Sequence, residues 1–281
     1  MNYSKIFKTL CEEVQEIELE KEEKTEYLRK FSGFSDLNAD ELFQKHIFNW
    51  LKFLNIDESD KNFGNVLDLG CGWGKDLIIL SMLNFENVVG VDVFDNRINI
   101  AKKRCNFHSG KGNLNSQVTI IHENFLNYNQ VHKKKYHKIY CYDVLTHIHP
   151  INEALDCIYK SLKPNGIFVS GDLNINNPIS YYNFKKLFTS RYGHFDYGFV
   201  HEASTDPSTK KPVLMAEEAI WSEKDYKTLA KEHGFRNVEF FYPFSLPTSI
   251  FNKKFVLLEN IINKLPLSKY FGREMFVRMT K

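Results

Sequence analysis

The residues best suited to chemistry lie first in Asn65 to Asp76, NVLDLGCGWGKD. Three apolar, β-favouring residues (Val66, Leu67, Leu69) surround Asp68 and run into Gly70, Gly72 and Gly74, and Leu77 to Leu83 then continues as an apolar helical run. Strand, glycine turn and helix follow one another. Gly70 can take a dihedral closed to other residues, while Gly72 and Gly74 present no Cβ to a ligand approaching the backbone at a helix N-terminus. A dinucleotide fingerprint would read G-x-G-x-x-G, with a pyrophosphate on the helix end. Here the order is G-x-G-x-G, with Lys75 where the third glycine would stand and Asp68 two residues before the first. Such an acid repels a pyrophosphate and suits a ligand carrying an ammonium group. Asp92 closes the next apolar stretch, ENVVGVDVF, at the distance where βαβ nucleotide sites place an acid on ribose hydroxyls. The ligand these residues suit is an adenosine with an amino-acid tail and no phosphates.

The acid-x-Gly-x-Gly-x-Gly turn resembles the first motif of the class I S-adenosylmethionine-dependent methyltransferases. The resemblance implies S-adenosyl-L-methionine as cofactor, with Asp68, Gly70, Cys71, Gly72 and Gly74 around its tail and Asp92 and Val93 at its ribose end. Related enzymes place a polar residue against the adenine amino group after the third strand, which points to Asn124 and Phe125. Tyr142 and Asp143 end the fourth strand, and Val144 to His147 (VLTH) resembles the VLEH segment of small-molecule methyltransferases, with Thr146 in place of glutamate. The Pro-Pro-aromatic signature of adenine-N6 and cytosine-N4 methyltransferases is absent there. Further on, SGDLNINNPISYYN resembles a segment of ubiquinone-biosynthesis-like and saccharide-modifying methyltransferases, with Asp172 replacing a proline.

Positioning these residues requires an alternation of strands and helices, which gives a parallel sheet covered on both faces. Strands are predicted at 65–69, 88–91, 118–122, up to about 142, and 167–170, with helices at 77–83, 96–107 and 151–162. The turn Lys163-Pro164-Asn165-Gly166 leads into the fifth strand. Ser222 and Asp225 read as a capping pair for a helix ended by Gly234, and 237–242 and 275–279 as antiparallel strands flanking a helix at 252–265. The expected fold is thus the α/β, Rossmann-like class I methyltransferase fold, with a mostly parallel seven-stranded sheet. Residues 1–60 read as an N-terminal helical extension, 61–281 as the methyltransferase domain, and 181–221 as a cap over the acceptor. That last stretch is rich in Tyr, Phe and His, too aromatic for disorder and too long for a plain connection.

Partners are bounded by composition. A net charge of +2 over 281 residues is too mild for a nucleic-acid footprint. Five scattered cysteines without a C-x-x-C pair suggest neither a disulfide frame nor zinc and fit a reducing cytoplasm. No apolar run approaches the roughly 18 residues of a membrane span. His147, His149 and Asp143 match no common metal-ligand spacing, so no metal is expected.

Methyl transfer from a sulfonium is an in-line displacement governed largely by positioning. An oxygen acceptor must also lose a proton, for which histidine is the natural base. His147, just past the fourth strand, is the first candidate, followed by His194 and His201 in the cap. The expected activity is methylation of a polar small molecule, a saccharide or similar metabolite, with oxygen favoured as acceptor atom. An RNA or protein methyltransferase, or a non-catalytic cofactor-binding subunit, are the alternatives.

Overall fold

The computed structural model describes residues 3–24, 49–57, 62–131, 133, 135–192, 199–217, 219–243, 268–272 and 274–281. Its centre is a seven-stranded sheet in the order β3-β2-β1-β4-β5-β9-β8. The strands are β1 (Asn65–Leu69), β2 (Asn87–Asp92), β3 (Gln117–His122), β4 (Tyr136–Tyr142), β5 (Leu162–Leu173), β8 (Asn237–Phe241) and β9 (Glu274–Thr280). β9 is antiparallel to both β5 and β8, and the other pairings are parallel.

Strand side chains alternate between two layers. Val66 and Val88 join one buried cluster with Trp50, Leu51 and Leu77 to Leu80, while Leu67, Leu69, Val89 and Val91 join the other with Leu155, Ile158 and Tyr226. A strand apolar at nearly every position is what burial on both faces of a parallel sheet requires. The covering helices are α2 (Lys75–Met82), α3 (Asp95–Gly110), α4 (Phe125–Val131), α5 (Ile151–Ser161), α6 (Pro178–Tyr192) and α7 (Glu223–Glu232), with a short α8 (Ser268–Phe271) before β9. Before the sheet, α1 (Tyr3–Glu16) buries Ile6 and Leu10, one turn apart, in the first cluster. Residues 49–53 are helical and bury Trp50, Leu51 and Phe53.

Most expected elements are present, and α7 carries the expected capping box: the Asp225 amide donates to Ser222 Oγ, and the Ser222 amide donates to Asp225. Three details differ from the sequence reading. α4 had no counterpart in it, being short and hard to tell from a loop. The turn at 163–166 lies inside β5 as a bulge, where pairing jumps from Tyr136↔Leu162 to Lys138↔Ile167 and Asn165 takes a φ of 60°. The stretch read as a cap holds most of α6, which starts earlier at Pro178, and an antiparallel hairpin, β6 (Val200–Thr205) and β7 (Pro212–Ala216), forming a separate two-stranded sheet. The helix expected at 252–265 lies outside the described residues, as does much of the first helical extension. No helix among the described residues is long and apolar enough to cross a membrane.

Candidate active site

Strand order reverses between β1 and β4, and ligands of open α/β sheets sit outside the carboxyl ends of the strands at that point. A cavity of about 570 Å³ lies there. Its lining includes Asp68, Gly70, Cys71, Gly72, Asp92, Val93, Asn124, Phe125, Tyr142, Asp143, His147 and His201. All the sequence-derived site residues are therefore together except Gly74 and His194. Gly74 is the N-cap of α2 rather than part of the lining, and His194 lies outside the described residues.

Each glycine of the turn has a different job. Gly70, at φ 75°, lets its own amide and that of Cys71 reach the Val91 carbonyl, and a Cβ there would fall 2.5 Å from Val144. At Gly74, φ 78°, an added Cβ would press on Ala101 at 3.0 Å, so this glycine lets α3 pack against α2. Gly72, at φ 50°, faces open space: the nearest atom to an added Cβ is a backbone oxygen 3.9 Å away. Of the three, Gly72 is the one whose missing side chain leaves room inside the cavity.

Two acids flank the turn in opposite states. Asp92 is buried with both oxygens engaged, accepting from the Gly72 amide and the Phe94 amide at 2.9 Å each. A carboxylate offers about four lone-pair sites, so each oxygen keeps capacity for one more donor. Asp68 is 3% exposed, and its Oδ2 has no hydrogen-bond partner. Burial first, then Asp76 and Asp92, push its carboxyl well above the usual aspartate range, against the opposing pull of Lys75. A buried acceptor without a donor is costly.

The opposite wall comes from the hairpin. Val213, Leu214, Met215 and Glu217 line the cavity together with His201, and β7 touches the main chain after β4 through an isolated bridge, Ile148↔Met215. His147 lies in a 3₁₀ turn (Leu145–His147), and its Nδ1 is 3.1 Å from the Ala216 carbonyl. A carbonyl can only accept, so Nδ1 is the donor in this bond, and in the neutral form of the ring the lone pair belongs to Nε2. His201 Nε2 lies 3.8 Å from Glu217. Tyr142, stacked on Tyr140, donates its hydroxyl to Glu274. Among the described residues, no group of three or more His, Cys, Asp or Glu is arranged to hold a metal.

Asp206 fastens the hairpin to the first wall. It accepts from the Asn124 amide at 3.2 Å and from Asn127 Nδ2 at 3.1 Å, while its other oxygen accepts from the Ser208 and Thr209 amides and the Thr209 hydroxyl. Burial would raise its carboxyl; the bonds from Thr209, Asn127 and Asn124 outweigh that and hold it below the ordinary value.

Residues 40–240 match the family described as "Methyltransferase domain". The chain belongs to this methyltransferase family. The fold is that of the class I enzymes. A sterol 24-C-methyltransferase of Pneumocystis carinii is 27% identical over 137 residues, 49% of this chain and 35% of that protein. A ubiquinone biosynthesis O-methyltransferase of Pelagibacter ubique is 32% identical over 129 residues, 45% of this chain and 50% of that protein. The matches thus span from about a third to a half of these relatives. A solved S-adenosylmethionine-dependent methyltransferase from Archaeoglobus fulgidus aligns over 86% of this chain and 94% of its own, with a TM-score of 0.50 and 18% identity, a likeness of fold.

Some residues of this methyltransferase's cavity escaped the sequence reading: Trp73, Arg97, Met215 and Glu217; so did Asp206, which is not part of the lining but fastens the hairpin to Asn124. Arg97 stacks 4.2 Å from the Phe94 ring centroid and 4.7 Å from that of Trp73. No short motif marks such stacking. The hairpin did leave a signal, because Asp206-Pro207-Ser208-Thr209 is a turn former between two stretches of strand-like residues.

Proposed function

We propose that this methyltransferase transfers the methyl group of S-adenosylmethionine to a hydroxyl of a polar small molecule, a saccharide or similar metabolite, with His147 as general base. The observation that carries the reading is the His147 ring, whose Nδ1 is committed to the Ala216 carbonyl, in the same cavity as the glycine turn and Asp92.

The cavity's own residues fit the cofactor. An ammonium would satisfy the orphaned Oδ2 of Asp68, ribose hydroxyls would take the remaining capacity of Asp92, and the open face of Gly72 admits the amino-acid tail. Asn124 and Phe125, with Val93, would border the adenine, and Tyr142 and Asp143 would lie near the tail. When bound, the cofactor supplies an electrophilic methyl on a sulfonium. His147 Nε2 would take the proton of the attacking hydroxyl, whose oxygen would accept the methyl released by the sulfur. His201, beside Glu217, orients the acceptor from the hairpin side.

A second reading concerns the acceptor's body. Ile148, Val213, Leu214 and Met215 make part of the acceptor wall apolar, which suits an acceptor carrying a hydrophobic ring or chain beside its hydroxyl, as the names of the sterol and ubiquinone-biosynthesis relatives suggest. Transfer of a labelled methyl from S-adenosylmethionine to panels of sugars, phenols and hydrophobic alcohols tests both readings. Label on hydroxyls of polar acceptors supports the first, and label confined to hydrophobic alcohols or phenols supports the second. Methylated amines, RNA or protein would refute both.

A further inference from the structure

The buried groups not used so far sit on the N-terminal side of the cofactor turn. Glu13, Arg104 and His108 are each 0% exposed, although Glu13 belongs to α1 and the other two to α3. Arg104 donates from Nε and Nη2 to the two oxygens of Glu13, and from Nη1 to the carbonyl of Trp73 at 2.9 Å. His108 Nε2 lies 3.1 Å from Glu13. Burial would raise the Glu13 carboxyl, but Arg104 and His108 outweigh it and hold the group at about 2, so the pair is ionised at neutral pH.

The accepting carbonyl is placed where it matters. It belongs to the peptide between Trp73 and Gly74, whose amide side donates to the Cys71 carbonyl at 2.8 Å. That peptide joins Trp73 to Gly74, whose φ is 78°, and Gly72, at φ 50°, stands one residue further back. On its nitrogen side Gly74 offers little steric resistance to a peptide rotation, so the turn keeps its shape through what holds the peptide. Arg104 holds it by the carbonyl, and Arg97, two turns earlier on the same helix, lies over the Trp73 ring. Arg104 in turn owes its direction to Glu13, because a guanidinium fork gripped by two carboxylate oxygens has little rotational freedom.

We propose that Glu13 and Arg104 are positioning residues for the cofactor: α1 fixes, through Arg104, the peptide that shapes the glycine turn, so docking of α1 and binding of cofactor are energetically coupled. The coupling is reciprocal, as linkage requires: whatever α1 contributes to cofactor affinity, the cofactor returns to the docking of α1. The inference rests on S-adenosylmethionine binding in this cavity and is indifferent to the acceptor.

Arg104→Lys separates this role from simple support, since one ammonium keeps a cation for Glu13 but cannot also reach the Trp73 carbonyl as the fork does. Calorimetry with S-adenosylhomocysteine should show about tenfold weaker binding by a variant that still unfolds cooperatively, the scale of one lost charged hydrogen bond. Lys103→Ala, which breaks the exposed pair with Glu23, should bind like the wild type. In the wild type, the same ligand should slow hydrogen exchange at the amides of α1, and the slowing should vanish in Arg104→Lys. A folded variant with affinity within twofold of wild type, or α1 exchange in the wild type indifferent to ligand, overturns the coupling. Should Arg104→Lys fail to fold, the wild-type exchange measurement decides alone. Failure of the wild type to bind would overturn the cofactor assignment and this proposal with it.

Discussion

The two walls of the cavity are held in place by different means. The first wall is made of strand ends: Asp68 and Gly70 follow from β1, Asp92 from β2, Asn124 from β3 and Asp143 from β4, and each position is locked by parallel ladders such as Asp68↔Gly90 and Leu69↔Cys141. The second wall is a hairpin outside that ladder, fastened by the Ile148↔Met215 bridge, the Ala219 amide on the Thr146 carbonyl, the His147 ring on Ala216, and Asp206 on Asn124. Breaking one contact of the first wall should therefore alter cofactor binding alone. Breaking the second should alter acceptor handling, except at Asp206, which touches both.

Substitutions can sharpen that contrast. The largest effect is expected from Gly72→Val, which fills the open space of the first wall and adds a β-branched residue at φ 50°. Calorimetry should detect no S-adenosylhomocysteine binding, with cooperative unfolding retained at a lowered melting temperature, and binding within tenfold of wild type would contradict the placement of the tail. On the second wall, His147→Gln should lower turnover by about 10²- to 10⁴-fold, the range for losing a general base. Cofactor affinity should stay unchanged, and loss of the acid limb of the pH profile would mark the base.

Returning to the first wall, Asp92→Ala should weaken cofactor binding at least about tenfold, since a lost charged hydrogen-bond partner costs about 1.5 to 3 kcal/mol. Asp206→Ala is the variant that blurs the two walls. It should raise the acceptor KM by roughly tenfold and the cofactor Kd by a few-fold, through loss of the bonds from Asn124 and Asn127 at about 1 kcal/mol each. A change in KM alone would mean that the Asn124 loop holds its shape without the hairpin.

The smallest expected signal is a proton. Asp68 has its carboxyl raised by burial, so the ligand-free protein favours the protonated form, and its stability falls as pH rises from the ordinary aspartate value through the raised one. An arriving ammonium favours the carboxylate. Binding should release protons, strengthen with pH across that window and show an enthalpy that depends on buffer ionisation; Asp68→Asn should remove that dependence.

The same contrast explains what was legible in the sequence. The place of Asp68, Gly70, Gly72 and Asp92 at the cavity was legible because it depends on a strand end and a glycine turn formed by neighbours close in sequence. His147 was legible as a residue just past a strand end, but its proton arrangement was not, because Ala216 lies 69 residues further along. Asp206 stayed hidden for the same reason: what makes it matter is Asn124, 82 residues earlier, and pairing across β6 and β7 decides which side chains face inward. Trp73 stands inside the motif, yet the arginine on its carbonyl is 31 residues away.

The buried pair of α1 also bears on how the chain is made. Glu13 and Arg104 are separated by 91 positions, and at synthesis rates of about 5 to 20 residues per second the carboxylate waits roughly 5 to 20 s for its partner to be made. During that interval α1, 14 residues long, is near the limit at which an isolated helix holds together in water. Its apolar side chains Ile6 and Leu10 have no finished surface to cover until β2 and α3 exist. α1 thus leaves the ribosome before its partners and is among the later segments to settle, and the interval in which it waits is a window for a chaperone to act.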